Sequence, residues 1–223
     1  MITSIVINYK RPENVREWMA GIRSQTVPSR VWVWDNSGDY TAGSGEDVLI
    51  RSSRNFYCQP WVQLAGMVQT EYVYHQDDDK ALTDNKMFEK LIGSADKYPD
   101  AVFGWNGRIF TPDINWDNAY SFPGKGWAGK QDIAVDMINT GVCFLRTGLI
   151  NGIRQNPFCD VTEKEYKYGD DMVLSKQWKH KRITEYIEDG FRNLDEHEDR
   201  GAALSKQSGH MPARDELCRR LFR

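Results

Sequence analysis

The chain has 223 residues, of which 40% are hydrophobic and 27% charged, with a net charge of −3 and a pI near 5.9. That length suits one α/β domain with a sizeable core, or at most two small ones. The balance is that of a globular protein and excludes a globally basic nucleic-acid binder, though not a local basic groove.

Four cysteines stand at 58, 143, 159 and 218, and none forms a CxxC pair. A zinc site or disulfide framework is therefore not expected, and a reducing compartment is. The opening MITSIVINYKRP lacks the basic lead and long apolar core of a signal peptide. No apolar stretch approaches the ~20 residues needed to span a bilayer. The expectation is a soluble, cytoplasmic enzyme.

In chain order, Ile2 to Asn8 is a short, β-branched apolar run, as a buried parallel strand should be. Pro12 opens a helix over Glu13 to Gln25, where Val15, Trp18, Met19 and Ile22 recur at helical spacing. Strands follow at Val31 to Trp34, before the polar turn Asp35-Asn36-Ser37-Gly38-Asp39, and at Val48 to Arg51. Pro60 to Gln69 reads as a helix, Glu71 to His75 as a strand, and Thr83 as the cap of a helix reaching Tyr98. Ala101 to Trp105 is a fifth strand. This alternation predicts an α/β fold with a mostly parallel central sheet and helices on both faces.

Beyond it the pattern loosens. Residues 111–130 are rich in Gly, Pro and aromatics, as in a long binding loop. Ile133 to Leu145 is strand material around Asn139-Thr140-Gly141. Gly169 to His180 is expected as a helix, Ile183 to Ile187 as a strand, and Ala213 to Phe222 as a C-terminal helix. A single domain results, with a nucleotide-binding half at 1–105 and an acceptor-binding half with the last helix at 106–223.

The strongest local signal is His75-Gln76-Asp77-Asp78-Asp79. Ligands of open α/β sheets gather beyond the carboxyl ends of the strands. Three consecutive carboxylates there repel one another, which a solvated acidic turn tolerates but a buried strand end does not. A hard divalent cation carrying a diphosphate would relieve the repulsion, with carboxylate and phosphate oxygens sharing its shell. Neighbouring strand ends supply Asn8-Tyr9-Lys10-Arg11 and Asp35-Asn36. An aromatic face and an Asp or Asn acceptor are what a uracil ring needs. Arg51, Arg54 and Asn55 follow the third strand, where the arginines could meet phosphate oxygens.

Downstream, Asp170 and Asp171 follow Gly169 at a helix start, as capping groups or as the acid/base or electrostatic carboxylate of a reaction. Gly141 in Asn139-Thr140-Gly141 permits close backbone approach to a sugar. Trp116 and Trp127, within the irregular segment, are candidate platforms for sugar C–H surfaces, although tryptophan is at least as common in a core.

The order strand-NYKR, strand-WDNSGD, strand-QDDD, then NTGVCF and YGDDMVLSKQW resembles the GT-A fold glycosyltransferases over about residues 2–187. Within them it is similar to the exostosin-like N-acetylhexosaminyltransferase branch and to a small DxD glycosyltransferase of a large algal virus. The resemblance implies a metal-dependent transfer of a sugar from a nucleotide-diphosphate donor, a UDP-sugar, to an acceptor hydroxyl with retention. It implies nucleoside and diphosphate contacts from Tyr9, Arg11, Asp35 or Asn36, and Asn55. It assigns Asp77 and Asp78 to the sugar and ribose, and Asp79 to Mn²⁺ or Mg²⁺, with Asp77 a further candidate ligand. Asp170 or Asp171 would lie beside the reacting carbon. Many such enzymes return a C-terminal histidine or arginine to the metal-diphosphate, which makes His210 and Arg214 candidates. The chain departs from the exostosin-like pattern at Lys10, where that pattern has Asn. It also departs at Pro60, where a basic donor-binding residue is expected. A virus- or phage-encoded enzyme acting in host cytoplasm fits the viral likeness.

Two other functions compete. A nucleotidyltransferase would want a glycine-rich phosphate loop where this chain has NYKRPENV, and a non-catalytic nucleotide- or sugar-binding module would have no need of so many carboxylates. The acceptor is expected to be a glycan, or a modified DNA base if Lys176, Lys179, Lys181, Arg182, Arg219 and Arg220 meet phosphates.

Overall fold

The structure is a computed structural model, and it describes residues 1–119, 132–150, 163–183, 190–194 and 207–223. The elements run β1 (Ile2–Asn8), α1 (Pro12–Arg23), β2 (Ser29–Asp35), β3 (Val48–Arg51), α2 (Pro60–Ala65), β4 (Tyr72–Gln76) and β5 (Lys80–Leu82). There follow α3 (Met87–Lys97), β6 (Ala101–Gly104), β7 (Gly107–Arg108), β8 (Ile133–Ala134), β9 (Met137–Ile138), β10 (Val142–Arg146) and α4 (Glu163–Gln177). The last are β11 (His180–Ile183), β12 (Phe191–Asn193) and α5 (His210–Phe222).

Eight strands form one sheet in the order β3-β2-β1-β4-β10-β6-β11-β8. The block β3, β2, β1, β4 is parallel, as is the β6–β11 pair. Strand β10 lies antiparallel between β4 and β6, and β8 is antiparallel to β11. The expected α/β architecture with a mostly parallel sheet is what is found. Strand β10 comes from beyond residue 105, so the centre of the sheet is built from both sides of that position.

The alternation of strand side chains accounts for the layers. Ile2 and Val6 of β1, Tyr72 and Tyr74 of β4, and Val142 and Phe144 of β10 join the core under α1 and α3. Ile5, Val73, Cys143 and Leu145 point the other way, into the core shared with α2, α4 and α5. Successive side chains of a strand face opposite sides, so both faces are buried only if nearly every position is apolar.

Several boundaries differ from the sequence reading for identifiable reasons. Thr83 caps no helix: β5 pairs with β12 and Thr83 donates its N–H to Gly190 O, which delays α3 to Met87. The strand material at 133–145 divides into β8, β9 and β10. Helix α2 stops at Ala65, four residues short of the expected end. Helix α4 begins at Glu163 and is kinked at Gly169, with φ −149° and ψ 31°. The strand expected at 183–187 is β11, earlier in the chain, and residues 184–187 lie outside the described ones. Helix α5 starts at His210 rather than Ala213.

Gly21 marks the closest approach between layers: a Cβ there would lie 2.8 Å from Leu82 O and 3.1 Å from Leu82 N, so α1 rests directly on β5. Gly93, exposed on α3, would meet nothing within 4 Å. Gly21→Ala should destabilise the fold by about 1–3 kcal/mol through overpacking. Gly93→Ala should stabilise it by about 0.5–1 kcal/mol through helix propensity alone. Urea unfolding of the two variants checks both signs.

Candidate active site

The parallel register brings Asn8 beside Asp35 and Asp35 beside Arg51 at the carboxyl edge of the sheet. There the fully buried Asn8 donates from Nδ2 to the equally buried Asp35 Oδ1 at 2.8 Å and to Oδ1 of the exposed Asp39 at 2.7 Å. Asp35 also accepts from the backbone N–H of Gly38 at 2.9 Å and of Tyr40 at 3.2 Å. It is the internal anchor of the turn after β2 and does not line the cavity described below, so the expected base acceptor is spent on the protein.

Asn36 does reach the cavity, but its amide is likewise engaged. Its Oδ1 accepts from Trp34 Nε1 at 2.9 Å and Phe56 N at 3.0 Å, and its Nδ2 donates to Tyr57 O at 2.9 Å. Asn55 Oδ1 accepts from Tyr57 N at 2.7 Å. The two amides together hold Tyr57 at φ 55°, a left-handed conformation that costs a non-glycine residue about 1–3 kcal/mol.

A cavity of about 320 Å³ opens at this edge. It takes in Tyr9, Asp77, Asp78 and Asp79 from the first half of the chain, and Asn139, Thr140, Gly141, Asp170, Asp171, His210 and Arg214 from the second. Arg11 is one step back, its Nη1 3.1 Å from Asp78 Oδ1. Arg51 instead donates to Tyr40 O at 3.1 Å, and Arg54 sits 4.6 Å over the Phe56 ring; neither lines the cavity. Trp116 is also elsewhere, in a short 3-10 turn, 5.6 Å from the Phe110 ring and half-buried against the core that includes α5. Trp127 lies outside the described residues. The predicted Asn55 also lines the cavity. The wall is completed by Ile7, Tyr57, Cys58, Lys80, Trp105, Lys167 and Tyr168, which the sequence reading did not assign to the site. Lys80 and Tyr168 adjoin the two acidic motifs and could have been included on that ground.

Each carboxylate has its own surroundings. Asp77 donates its N–H to Gly141 O at 2.9 Å, and its Oδ1 is 3.6 Å from Nε2 of buried His75. His75 stacks on Trp61 at 4.6 Å. A Cβ on Gly141 would come within 2.9 Å of Asp77 Oδ2, so the close approach that this glycine allows is to a carboxylate. Asp79 meets Lys80 Nζ at 2.7 Å. Asp170 accepts from Thr140 Oγ1 at 2.9 Å. Asp171 is paired with Arg214 Nη2 at 2.5 Å, both side chains almost fully buried, and it also accepts from Met172 N. The two adjacent carboxylates thus differ: Asp171 is paired with an arginine, and Asp170 accepts a hydroxyl hydrogen bond.

Burial, with Asp79 and Asp77 adding their charge, pushes Asp78 up to about 7 despite Arg11. Burial, then Asp171 and Asp77, likewise lifts Asp170 to about 7. Asp79 is raised by burial and by Asp77. Burial also works to raise Asp77, but the hydrogen bond and charge of His75 hold it below the usual carboxylate range. His210, through burial and the charge of Arg214, falls to about 4, and its buried Nδ1 has no hydrogen-bond partner among the described residues. Among the described residues no three His, Cys, Asp or Glu side chains already converge as a ligand set. Asp77 and Asp79 line the same cavity and the charge of one bears on the other, so they could take a divalent cation if a ligand's oxygens completed its shell.

Of the basic residues considered for DNA, Lys176, Lys179 and Arg220 are exposed, while the others are engaged by the protein. Lys181 Nζ donates to Ser175 O and Trp178 O at 2.9 and 2.7 Å, and Arg182 is bound to Asp132 and lies 3.8 Å over the Tyr98 ring. Arg219 pairs with Asp117. No helix among the described residues is long and apolar enough to cross a membrane, and Cys58, Cys143 and Cys218 are unpaired thiols.

A carboxyl group whose folded value lies above its unfolded one binds extra protons in the folded state, so stability rises as pH falls through the folded value. Asp78 and Asp170 act in this sense. His210 acts oppositely, with one proton against their two. In the absence of added divalent cation, Tm should therefore rise from pH 8 to pH 5. Asp170→Asn should raise Tm at pH 8 and flatten that slope, as followed by differential scanning calorimetry.

No protein-family profile matches this chain, and no curated protein matches it. Among solved structures, S. aureus TarS superposes with a TM-score of 0.53 at 15% identity, over 82% of this chain and 34% of that one. The mannosyltransferase PcManGT from Pyrobaculum calidifontis, in complex with GDP-Man and Mn²⁺, superposes with a TM-score of 0.53 at 13% identity, over 83% of this chain and 55% of that one. The chain thus spans 34% and 55% of the lengths of these two structures. At such identities the likeness concerns architecture, and the architecture is the GT-A fold.

Proposed function

We propose that the chain is a metal-dependent glycosyltransferase that moves a sugar from a nucleotide-diphosphate donor to an acceptor hydroxyl. The observation that carries this reading is the gathering of Asp77, Asp78, Asp79 and Asp170 around one cavity at the carboxyl edge of the parallel strands. The Mn²⁺ and GDP-Man of the mannosyltransferase with the same fold support it. Asp79 and Asp77 would hold Mn²⁺ or Mg²⁺, with His210 at the cavity wall as a further ligand. The cation supplies charge neutralisation of the departing diphosphate.

The remaining chemistry falls to the chain's own groups. Tyr9 offers an aromatic face to the base, and Asp78, fixed by Arg11, faces the ribose and sugar. UDP is the expected nucleotide from the exostosin-like resemblance, but with Asp35 and Asn36 committed to the fold the base acceptor lies elsewhere, so GDP-sugars belong in the same screen. Asp170 is the reacting carboxylate, and Asp171 its arginine-paired neighbour. With inversion Asp170 takes the acceptor proton as the acceptor oxygen bonds to C1 and the C1–O bond to diphosphate breaks. With retention, the outcome that the exostosin-like branch implies, it stabilises positive charge at C1. The acceptor is a glycan hydroxyl, or a modified DNA base if the exposed Lys176, Lys179 and Arg220 meet phosphates; Lys181 and Arg182 are engaged by the protein.

A hydrolysis screen over UDP- and GDP-sugars with Mn²⁺ should find one donor that is slowly cleaved, and NMR of the released sugar gives the stereochemistry. Asp79→Ala should abolish the Mn²⁺-dependent part of nucleoside-diphosphate affinity measured by calorimetry. Asp170→Asn should leave that affinity within a few-fold while turnover falls by about 10² or more, the scale of a lost acid/base or electrostatic group. Equal nucleotide affinity in EDTA and in Mn²⁺ would remove the metal from this account.

A further inference from the structure

The cavity wall has three cations, and two of them are already matched. Lys80 lies 2.7 Å from Asp79 and Arg214 2.5 Å from Asp171. The third is Lys167, in the first part of α4 just before the Gly169 kink. Its ammonium meets no carboxylate among the described residues. It is held between two aromatic faces, 5.3 Å from the Tyr57 ring and 4.8 Å from the Tyr168 ring. Such contacts order a lysine while leaving its N–H donors unspent.

The two rings come from different segments of the chain that line the cavity. Tyr168 belongs to α4. Tyr57 belongs to the loop after β3, and its left-handed backbone is held by Asn55 Oδ1 on its N–H and Asn36 Nδ2 on its C=O. Two side-chain amides and a strained residue are thus spent on presenting one aromatic ring to Lys167. Meanwhile Arg51 and Arg54 point away, Arg11 is bound to Asp78, and position 60 is proline. The first half of the chain therefore brings no uncommitted cation into the cavity for a diphosphate.

We infer that Lys167, caged by Tyr57 and Tyr168, is the diphosphate-binding cation of this site, reaching across from α4 to the donor side. The inference rests on the proposed donor chemistry. Its ligand class is a phosphate oxygen, and the side of the cavity on which Tyr57 stands assigns it to the donor's diphosphate rather than to a phosphate on the acceptor. Filling the site would exchange two aromatic contacts for a charge-assisted hydrogen bond.

The test is calorimetry in Mn²⁺ with a nucleoside diphosphate and the matching monophosphate, UDP with UMP and GDP with GMP, on the wild type, Lys167→Met and Lys167→Arg. Lys167→Met should weaken diphosphate binding about 10-fold or more, the effect of one charge-assisted hydrogen bond. Monophosphate binding should stay within about 3-fold, and Lys167→Arg should restore most of the loss. Diphosphate binding unchanged in Lys167→Met overturns the inference and leaves the glycosyltransferase reading intact. So does an equal loss for mono- and diphosphate accompanied by a lower Tm, which marks a packing role. A wild type that binds neither diphosphate overturns both.

Discussion

Like charges brought together out of water set the terms for this molecule. Asp77, Asp78, Asp79 and Asp170 share one cavity wall, and two of them are lifted to about 7 by burial and by one another. Nothing in the folding of an α/β sheet requires such an arrangement, and it is held by the strength of the scaffold beneath it. The apolar strands pack on both faces, buried His75 and the Trp61 ring stand behind Asp77, and Thr140 and Gly141 fit closely against Asp170 and Asp77. Residues that conflict locally with stability are the usual mark of a site shaped for a ligand.

The fold was legible because its signal is periodic. Apolar β-branched runs alternating with amphipathic helices specify a parallel sheet whatever the loops do, and β1 and β3 were readable to the residue. What escaped were elements defined by distant pairing. Lys80–Leu82 is a strand only because Phe191–Asn193 lies beside it. Residues 133–145 become three strands because three different partners claim them.

The site was legible in the same uneven way. Asp77 to Asp79 announce themselves by following a buried strand, and the Gly-Asp-Asp motif by its place at a helix. The polar residues after β2 and β3 are equally conspicuous in sequence, yet Asp35 and Asn36 turn out to satisfy backbone and side-chain donors of their own loops. A polar residue at a strand end has two employers, the ligand and the turn, and composition does not tell which one it serves. Lys167 and Tyr57 had no local signal at all, since their meeting depends on how α4 crosses the loop after β3.

The insertion of β10 between β4 and β6 bears on how the protein is made. As the chain emerges during synthesis, β4 and β6 are complete long before Val142–Arg146 exists. Each then presents an open, apolar edge to whatever is nearby, and exposed strand edges are templates for association between chains. The central strand closes the gap late and over a long sequence separation, which slows folding. A truncated product ending near residue 110 would retain those two edges permanently. Aggregation of nascent or shortened chains, rather than loss of the finished fold, is where this topology is most vulnerable.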